Sequence, residues 1–212
     1  MTETPNPHIV DTDTLTGEMR PIRRAVLALG SNLGERMASL QGAVNALADT
    51  PDVWITGVSP VYETEPVDSP VEAKNYLNAV VLMDTTLAAS RLMDRALAIE
   101  DAFERERSEV RNAPRTLDVD LIVVGDRRSD EESLRLPHPR AHERAFVLQP
   151  WAQLDPQAVL PGLGGGPVGA LAATAPDREG VRWLALDWLT APIPAGNDTG
   201  AVQTGRPEAQ DA

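Results

Sequence analysis

Two aspartates stand two residues apart in an otherwise apolar stretch of the chain. The stretch 111–124 reads RNAPRTLDVDLIVV and carries Asp118 and Asp120. Because successive side chains of a strand point to opposite faces, a strand here places both carboxylates on one face, roughly 6.5–7 Å apart. The other face of such a strand is a buried apolar stripe that consists of Leu117, Val119, Leu121 and Val123.

Metal binding is the chemistry that this pair of carboxylates could support. Two neighbouring carboxylates repel each other, and a protein core does not accept them unpaired. Mg²⁺ would resolve that conflict, because it is typically held by one or two carboxylates together with substrate phosphates. An exposed strand with an acidic outer face is the alternative, and this stretch alone leaves both open.

Six arginines stand close to the pair in the sequence. Those before it are Arg105, Arg107, Arg111 and Arg115, and those after it are Arg140 and Arg144. Guanidinium groups bind phosphate oxygens through paired, charge-assisted hydrogen bonds, and phosphoryl transfer needs cations that neutralise developing charge. The combination indicates a Mg²⁺-dependent enzyme that acts on a nucleotide. Interleaved acids at Glu104, Glu106 and Glu109 leave ion pairs on a solvated helix end as an alternative for some of the arginines.

His138 is a further candidate for contacting phosphate, because it lies between the aspartates and the last two arginines. A solvated loop residue is the alternative. A zinc site shared with His142 is not expected, since Pro137 and Pro139 exclude a continuous helix that would present both histidines.

Asn78 is a polar residue in the apolar run 76–83, YLNAVVLM. A buried carboxamide needs hydrogen-bond partners, and the edge of a heterocycle could supply them. Tyr76 is two residues away and therefore faces the same side. Core packing of Tyr76 and Phe146, with Asn78 bonded to backbone, is the alternative that these residues alone favour.

Length and composition favour one globular domain. The chain has 212 residues, of which 42% are hydrophobic. The net charge of −13 argues against a nucleic-acid backbone as the main partner. Cysteine is absent, which excludes disulfides and thiolate metal sites. Without a signal-like N-terminus or a membrane-length apolar run, we expect a cytoplasmic protein that does not bind membranes.

Periodicity predicts six main elements. They are a strand at 24–30, a helix through 33–47, a strand at 53–63 broken at Pro60, a strand at 76–83, a helix through 92–103 and a strand at 117–124. Ser31 or Asn32 is the expected N-cap of the first helix. The order predicts an α+β fold of the ferredoxin-like β-α-β-β-α-β type, with an antiparallel sheet and both helices on one face.

The remaining segments complete the predicted domain organisation. Residues 1–22 are expected to be a disordered or loosely docked leader, and residues 191–212 a disordered tail. The domain itself spans 23–190, and its region 134–190 is predicted to be a C-terminal extension packed on the ferredoxin-like unit.

Four sequence blocks carry a family resemblance. They read LALGSNLG, TEPV followed by NYLNAVV, RNAPRTLDVDLI, and LPHPRAHERAFVLQP. In this order and spacing they resemble the 6-hydroxymethyl-7,8-dihydropterin pyrophosphokinase family over residues 24–150. The resemblance implies transfer of diphosphate from ATP to the hydroxymethyl group of the pterin, with release of AMP, in tetrahydrofolate biosynthesis.

The resemblance also implies roles on the nucleotide side. Asp118 and Asp120 match ligands of two Mg²⁺ ions that bridge the phosphates of ATP. Arg105 and Arg115 match the catalytic arginines that stabilise the transferring group. The residues implied in nucleotide binding are Glu100, Arg107, Arg115, Leu121, His138 and Arg144.

On the pterin side, the residues implied are Thr64, Val67, Tyr76, Asn78 and Phe146. Tyr76 and Phe146 would enclose the flat pterin, and Asn78 would read its edge. The segments 64–73 and 104–115 would be lids that close over the substrates and exclude water.

Four positions depart from the family pattern. Asn112 stands where many members have tryptophan, and Asp68 replaces a common glycine. Leu97 and Pro139 stand at nucleotide-side positions where some members have polar or aromatic residues. We expect an active monomer with altered loop dynamics whose partners are ATP and the pterin. An RNA-binding module of similar topology and an inactive paralogue that serves as a scaffold are the competing hypotheses, and release of AMP distinguishes them.

Overall fold

The computed structural model describes residues 20–65, 74–103, 115–162, 164–185 and 187–189. The predicted tail lies outside the described residues, and so does the predicted leader except for its last three residues. Within the part of the chain that the structure describes, no helix is both long and apolar enough to cross a membrane.

The first elements follow the predicted order of strands and helices. They are β1 (Arg23–Ser31), α1 (Arg36–Ala48), β2 (Val53–Val58), β3 (Val61–Thr64), β4 (Tyr76–Thr85), α2 (Ala89–Ala102) and β5 (Asp118–Val124). β2 and β3 are the halves of one predicted strand, and they pair with opposite halves of β4. The sheet order β3-β4-β1-β5, with antiparallel pairs, confirms the ferredoxin-like α+β fold.

The predicted C-terminal extension forms a further layer. Its elements are β6 (Ser129–Glu131), β7 (Leu134–Leu136), α3 (Ala145–Leu154), β8 (Val159–Leu160), β9 (Gly166–Pro167), α4 (Val168–Thr174) and β10 (Val181–Ala185). β10 joins the edge of the main sheet beside β3. β6 with β7 and β8 with β9 form two small hairpins.

Two hydrophobic cores lie on opposite faces of the sheet. In the first, Leu27 and Leu29 of β1 pack with residues of α1 and α2, namely Leu40, Val44, Leu47, Leu92, Ala96 and Ile99. In the second, the alternate residues Val26 and Ala28 pack with residues of α3 and α4, namely Val147, Leu148, Trp151, Val168 and Ala172. Because both faces of β1 and β4 are covered, these strands read as continuous apolar runs.

The predicted apolar stripe on β5 is correct for its first three residues and wrong for Val123. Leu27 of β1 pairs with Leu121, but Val26 pairs with Val123, so Ile122 is an additional residue in β5. A β-bulge of this kind reverses the alternation of side chains beyond it. Val123 therefore packs in the second core.

The predicted N-cap of α1 is also wrong. α1 begins at Arg36, its N-cap residue is Glu35, and no side chain caps it. Ser31 is the last residue of β1, and the side chain of Asn32 makes other contacts, described below.

Substitution of glycine by alanine is expected to have opposite effects at two positions of the C-terminal extension. A Cβ at Gly165 would lie 2.2 Å from the carbonyl oxygen of Leu160, whereas a Cβ at Gly169 in α4 would meet nothing within 4 Å. Gly165→Ala is expected to lower the free energy of unfolding by about 1–3 kcal/mol, because backbone must move. Gly169→Ala should raise it by up to about 1 kcal/mol through helix propensity. Urea denaturation checks both, and a stabilised Gly165→Ala protein would contradict the packing described here.

Candidate active site

Asp118 and Asp120 lie on the outer strand β5 and share one face, as predicted. In the pairing of β5 with β1, Asp118 is opposite Gly30 and Asp120 is opposite Ala28. Neither of these small residues has a side chain that would cover the carboxylates. Both aspartates are partly exposed, with 23% and 32% of their side-chain surface accessible. The pair is therefore open to a ligand.

Within the part of the chain that the structure describes, each carboxylate forms an ion pair with an arginine. Nη1 of Arg115 lies 2.8 Å from Oδ1 of Asp118, and Nη1 of Arg144 lies 3.0 Å from Oδ2 of Asp120. Arg115 precedes β5, and Arg144 immediately precedes α3, so the two cations reach the pair from different parts of the chain. Charge-assisted bonds of this kind partly offset the repulsion between the aspartates.

Burial and the negative charge of Asp118 raise the pKa of Asp120 to about 6. The attraction of Arg144 acts in the opposite direction and is smaller. Burial and the nearby Arg144 lower the pKa of His138 to about 4. His138 is therefore neutral at pH 7.

The backbone fixes the tautomer of His138. The N–H of Arg140 donates to Nδ1 of His138 over 3.2 Å, so Nδ1 is the acceptor and the neutral ring carries its proton on Nε2. Nε2 lies 3.9 Å from Oδ2 of Asp120. A hydrogen-bond donor thus faces the carboxylates, which is what a phosphate oxygen at this place would need.

Asn32 is a functional residue that the sequence pattern did not identify. Its Oδ1 accepts a hydrogen bond from the backbone N–H of Arg115 over 2.7 Å, and its own N–H donates to the carbonyl of Arg115 over 3.1 Å. Its Nδ2 also donates to the carbonyl of Lys74 over 3.4 Å. The turn after β1 therefore holds the backbone of Arg115 instead of capping α1. The signal available in the sequence was an asparagine close behind the apolar run 24–30, and the structure buries it.

Asn78, Tyr76 and Thr64 lie together beside Asp118. Nδ2 of Asn78 donates to Oγ1 of Thr64 over 2.9 Å, so Asn78 is bonded to a side chain and not, as the alternative held, to backbone. A Cβ on Gly30 would lie 3.5 Å from Oδ1 of Asn78 and 3.8 Å from both Tyr76 and Asp118. A glycine on β1 thus leaves a small space that these three side chains border.

Phe146, the other aromatic residue of the predicted pterin site, lies beside Arg144. Phe146 lies in the first turn of α3, and the guanidinium carbon of Arg144 is 5.5 Å from the centre of its ring. That distance allows a cation–π interaction. Arg144 therefore contacts both an aspartate of the pair and an aromatic residue of the predicted pterin site.

An open pocket of about 500 Å³ lies on the other side of the carboxylates. Of the predicted residues, its lining includes Glu100, Arg115, Asp118, Asp120, Leu121 and His138. Glu100 is buried, and its Oε1 accepts a hydrogen bond from the N–H of Val119 over 2.7 Å. Arg144, Tyr76, Asn78 and Phe146 do not line this pocket, whereas Asp118 both lines it and borders the space at Gly30 with Tyr76 and Asn78.

Three predicted site residues lie outside the described residues, namely Val67, Arg105 and Arg107. The same holds for two of the positions that depart from the family pattern, Asp68 and Asn112, and for most of the two segments expected to be lids. The other two, Leu97 and Pro139, line the pocket.

A protein-family model for 7,8-dihydro-6-hydroxymethylpterin-pyrophosphokinase matches residues 26–156. The chain belongs to this family. The matched range contains every site residue described above, from Asn32 to Phe146.

Curated members of the pyrophosphokinase family are similar over most of their length. The chain is 39% identical to 2-amino-4-hydroxy-6-hydroxymethyldihydropteridine pyrophosphokinase of Pseudomonas aeruginosa, over 66% of this chain and 85% of that protein. It is 40% identical to the enzyme of the same name from Mycobacterium tuberculosis strain H37Rv, over 75% of this chain and 88% of that protein.

Solved structures support the fold. The Plasmodium falciparum HPPK-DHPS chain solved with pterin and p-hydroxybenzoate superposes with a TM-score of 0.54 at 15% identity. The A437G form solved with STZ-DHP gives 0.55 at 14% identity. Each covers 74% of this chain, which spans 42% and 46% of those longer chains.

The raised pKa of Asp120 predicts how stability depends on pH. Between 3.8 and about 6, the folded protein binds more protons at this carboxyl than the unfolded chain does. The contribution of Asp120 to the free energy of unfolding should therefore fall as pH rises through this window. Urea denaturation of the wild type and Asp120→Asn between pH 4 and 7, without metal, gives this contribution as the free energy of unfolding of the wild type minus that of the variant. A wild-type free energy of unfolding that rises with pH relative to that of Asp120→Asn would contradict the raised pKa of Asp120.

Proposed function

We propose that the aspartate pair and its two arginines form the place where this chain carries out the reaction of its family. As a pyrophosphokinase, the chain transfers diphosphate from ATP to the hydroxymethyl group of 6-hydroxymethyl-7,8-dihydropterin and releases AMP, in folate biosynthesis. The observation that carries the assignment of the site is the pairing of Asp118 with Arg115 and of Asp120 with Arg144. These two pairs place carboxylates that can bind a metal next to guanidinium groups that can bind phosphate.

The donor set of the pair fits Mg²⁺. Asp118 and Asp120 offer hard oxygen ligands on one strand face, and an added cation there would offset the burial and the repulsion from Asp118 that raise the pKa of Asp120. Among the described residues, no cluster of three or more acidic or histidine side chains could hold a metal by itself. The other ligands would be phosphate oxygens and water. When bound, two Mg²⁺ ions would neutralise the phosphates of ATP and align them.

ATP is proposed to occupy the 500 Å³ pocket. Arg115 and Arg144 would contact its phosphates, and the neutral His138 would donate a hydrogen bond from Nε2. Glu100 and Leu121 line the pocket. Arg105 and Arg107, which lie outside the described residues, are proposed from the resemblance as a catalytic and a nucleotide-binding arginine.

The pterin is proposed to lie on the other side of Asp118, with Val67 among its contacts. Because the NH₂ group of Asn78 donates to Thr64, its Oδ1 is turned to accept a hydrogen bond from a heterocycle N–H. Tyr76 and Phe146 would stack on the ring faces.

The proposed reaction requires little covalent chemistry from the protein. The oxygen of the pterin hydroxymethyl group forms a bond to the β-phosphorus of ATP, and the bond from that phosphorus to the bridging α-phosphate oxygen breaks. AMP leaves with the bridging oxygen, and the hydroxyl proton is released to solvent. The contribution of the chain is alignment and charge, since Asp118 separates the two substrates and Arg115 lies beside it.

The fold does not support the competing hypothesis of an RNA-binding module, because the sheet faces are covered. Modules of that kind stack bases on an open face of the sheet. Here α1 and α2 cover one face of β1 and β4, and α3 with α4 packs on the other.

Removal of one carboxylate should abolish most turnover. Asp118→Asn and Asp120→Asn are expected to reduce kcat by about 100-fold or more, because each removes a metal ligand. Asp126→Asn, an exposed aspartate in the turn after β5, is the matched control and should keep wild-type rates. The measurement is AMP release from ATP and Mg²⁺, with and without the pterin.

Two results would contradict this account. Release of ADP, or AMP release that does not depend on the pterin, would contradict the assigned reaction. Rates near the wild-type value in both aspartate variants would contradict the metal role of the pair.

Loss of the Asn78 carboxamide should weaken pterin binding selectively. Asn78→Ala is expected to raise the KM for the pterin by about tenfold and to leave the KM for ATP unchanged, because a hydrogen bond to the heterocycle is lost. Thr64→Val, which removes only the hydroxyl that orients Asn78, should act in the same direction with a smaller effect. Steady-state kinetics with each substrate varied checks this, and an equal rise in both KM values would refute it.

A further inference from the structure

The matched family range ends at residue 156, but the site receives a contact from beyond it. Asp177 follows α4, and its Oδ1 accepts a hydrogen bond from the backbone N–H of Ala145 over 2.7 Å. The two residues are 32 positions apart in the chain. The chain beyond the matched range thus contacts the first residue of α3.

This bond supplies an acceptor that α3 lacks in its own sequence. The N–H groups in the first turn of a helix have no partner within the helix. The N-cap residue of α3 is Arg144, whose side chain makes no capping hydrogen bond. Asp177, which is distant in sequence, caps the helix instead, and its negative charge also interacts favourably with the positive end of the helix dipole.

The capped residue lies between two residues of the candidate site. Ala145 is preceded by Arg144, which binds Asp120 over 3.0 Å, and followed by Phe146, whose ring lies under the Arg144 guanidinium. The direction of both side chains depends on the backbone of this turn. A hydrogen bond that fixes the N–H of Ala145 therefore restricts the directions of the Arg144 and Phe146 side chains.

Asp177 is itself held in place by packing. Val168 and Ala172 of α4 and the following Ala175 are buried in the second core, against α3. Nη1 of Arg178 donates to the carbonyl of Ala175 over 3.2 Å and closes the turn that contains Asp177. The carboxylate is thus presented from a packed support.

We propose that Asp177 is a positioning residue for the pyrophosphokinase reaction, acting through Ala145 to orient Arg144 toward ATP and Phe146 toward the pterin. This inference rests on the proposed function of the site. Asp177 touches neither substrate, so it tunes the affinity of the site and takes no part in bond making. The C-terminal extension then has a role in substrate binding besides closing the second core.

The test compares Asp177→Ala with Asp177→Asn and with Asp155→Ala. Asparagine can accept the same hydrogen bond without the charge. Asp155 is the matched control because it follows the other end of α3, where its Oδ1 accepts a bond from the N–H of Gln157 over 3.1 Å. All variants are made in the full chain, and substrate KM, kcat, unfolding midpoint and hydrogen exchange of the α3 amides are measured.

We expect Asp177→Ala to raise the KM for both substrates by about five- to tenfold, with a smaller change in kcat. The amides in the first turn of α3 should exchange faster. Asp177→Asn should restore most of the wild-type KM, and Asp155→Ala should leave both KM values unchanged even where it lowers the unfolding midpoint.

Three outcomes would overturn the inference. They are unchanged KM values in a folded Asp177→Ala protein, an equal rise of KM in Asp155→Ala, and an Asp177→Asn protein that behaves like the alanine variant. If Asp177→Ala does not fold, the asparagine variant and the exchange data still decide. Wild-type protein that makes no pterin-dependent AMP would instead refute the proposed function.

Discussion

The repulsion between the carboxylates of Asp118 and Asp120 is the constraint on which the site depends. Strand geometry places both on one face of β5, and burial together with the neighbouring Asp118 raises the pKa of Asp120 to about 6. Arg115 and Arg144 reduce the repulsion from either side. An arrangement of this kind favours added cations while keeping guanidinium groups close to any phosphate that arrives with them.

Side chains from distant parts of the sequence hold the backbone at or beside both arginines. Asn32, in the turn after β1, bonds to both backbone groups of Arg115, and Asp177, after α4, bonds to the residue that follows Arg144. One support belongs to the ferredoxin-like unit and the other to the C-terminal extension. The second helical layer therefore closes the sheet face and also supports the site.

Much of the fold could be predicted because it follows from local patterns. Helical periodicity placed α1 and α2, and the spacing of Asp118 and Asp120 placed both on one face of a strand. The bulge at Ile122 could not be predicted, since it appears only in the pairing of β5 with β1.

The supports of the site depend on contacts between distant residues. Asn32 looked like a helix cap because its neighbours in sequence fit a turn, but its partner is Arg115. The Asn78 contact with Thr64 likewise joins two strands.

Binding of ATP by Asp118 and Asp120 through Mg²⁺ is most directly tested by calorimetric titration. The ligand is an ATP analogue that has a methylene group between its α- and β-phosphorus. Mg²⁺ should raise the affinity of the wild type by about tenfold or more and leave that of Asp120→Asn nearly unchanged. An equal gain in both proteins would contradict the claim.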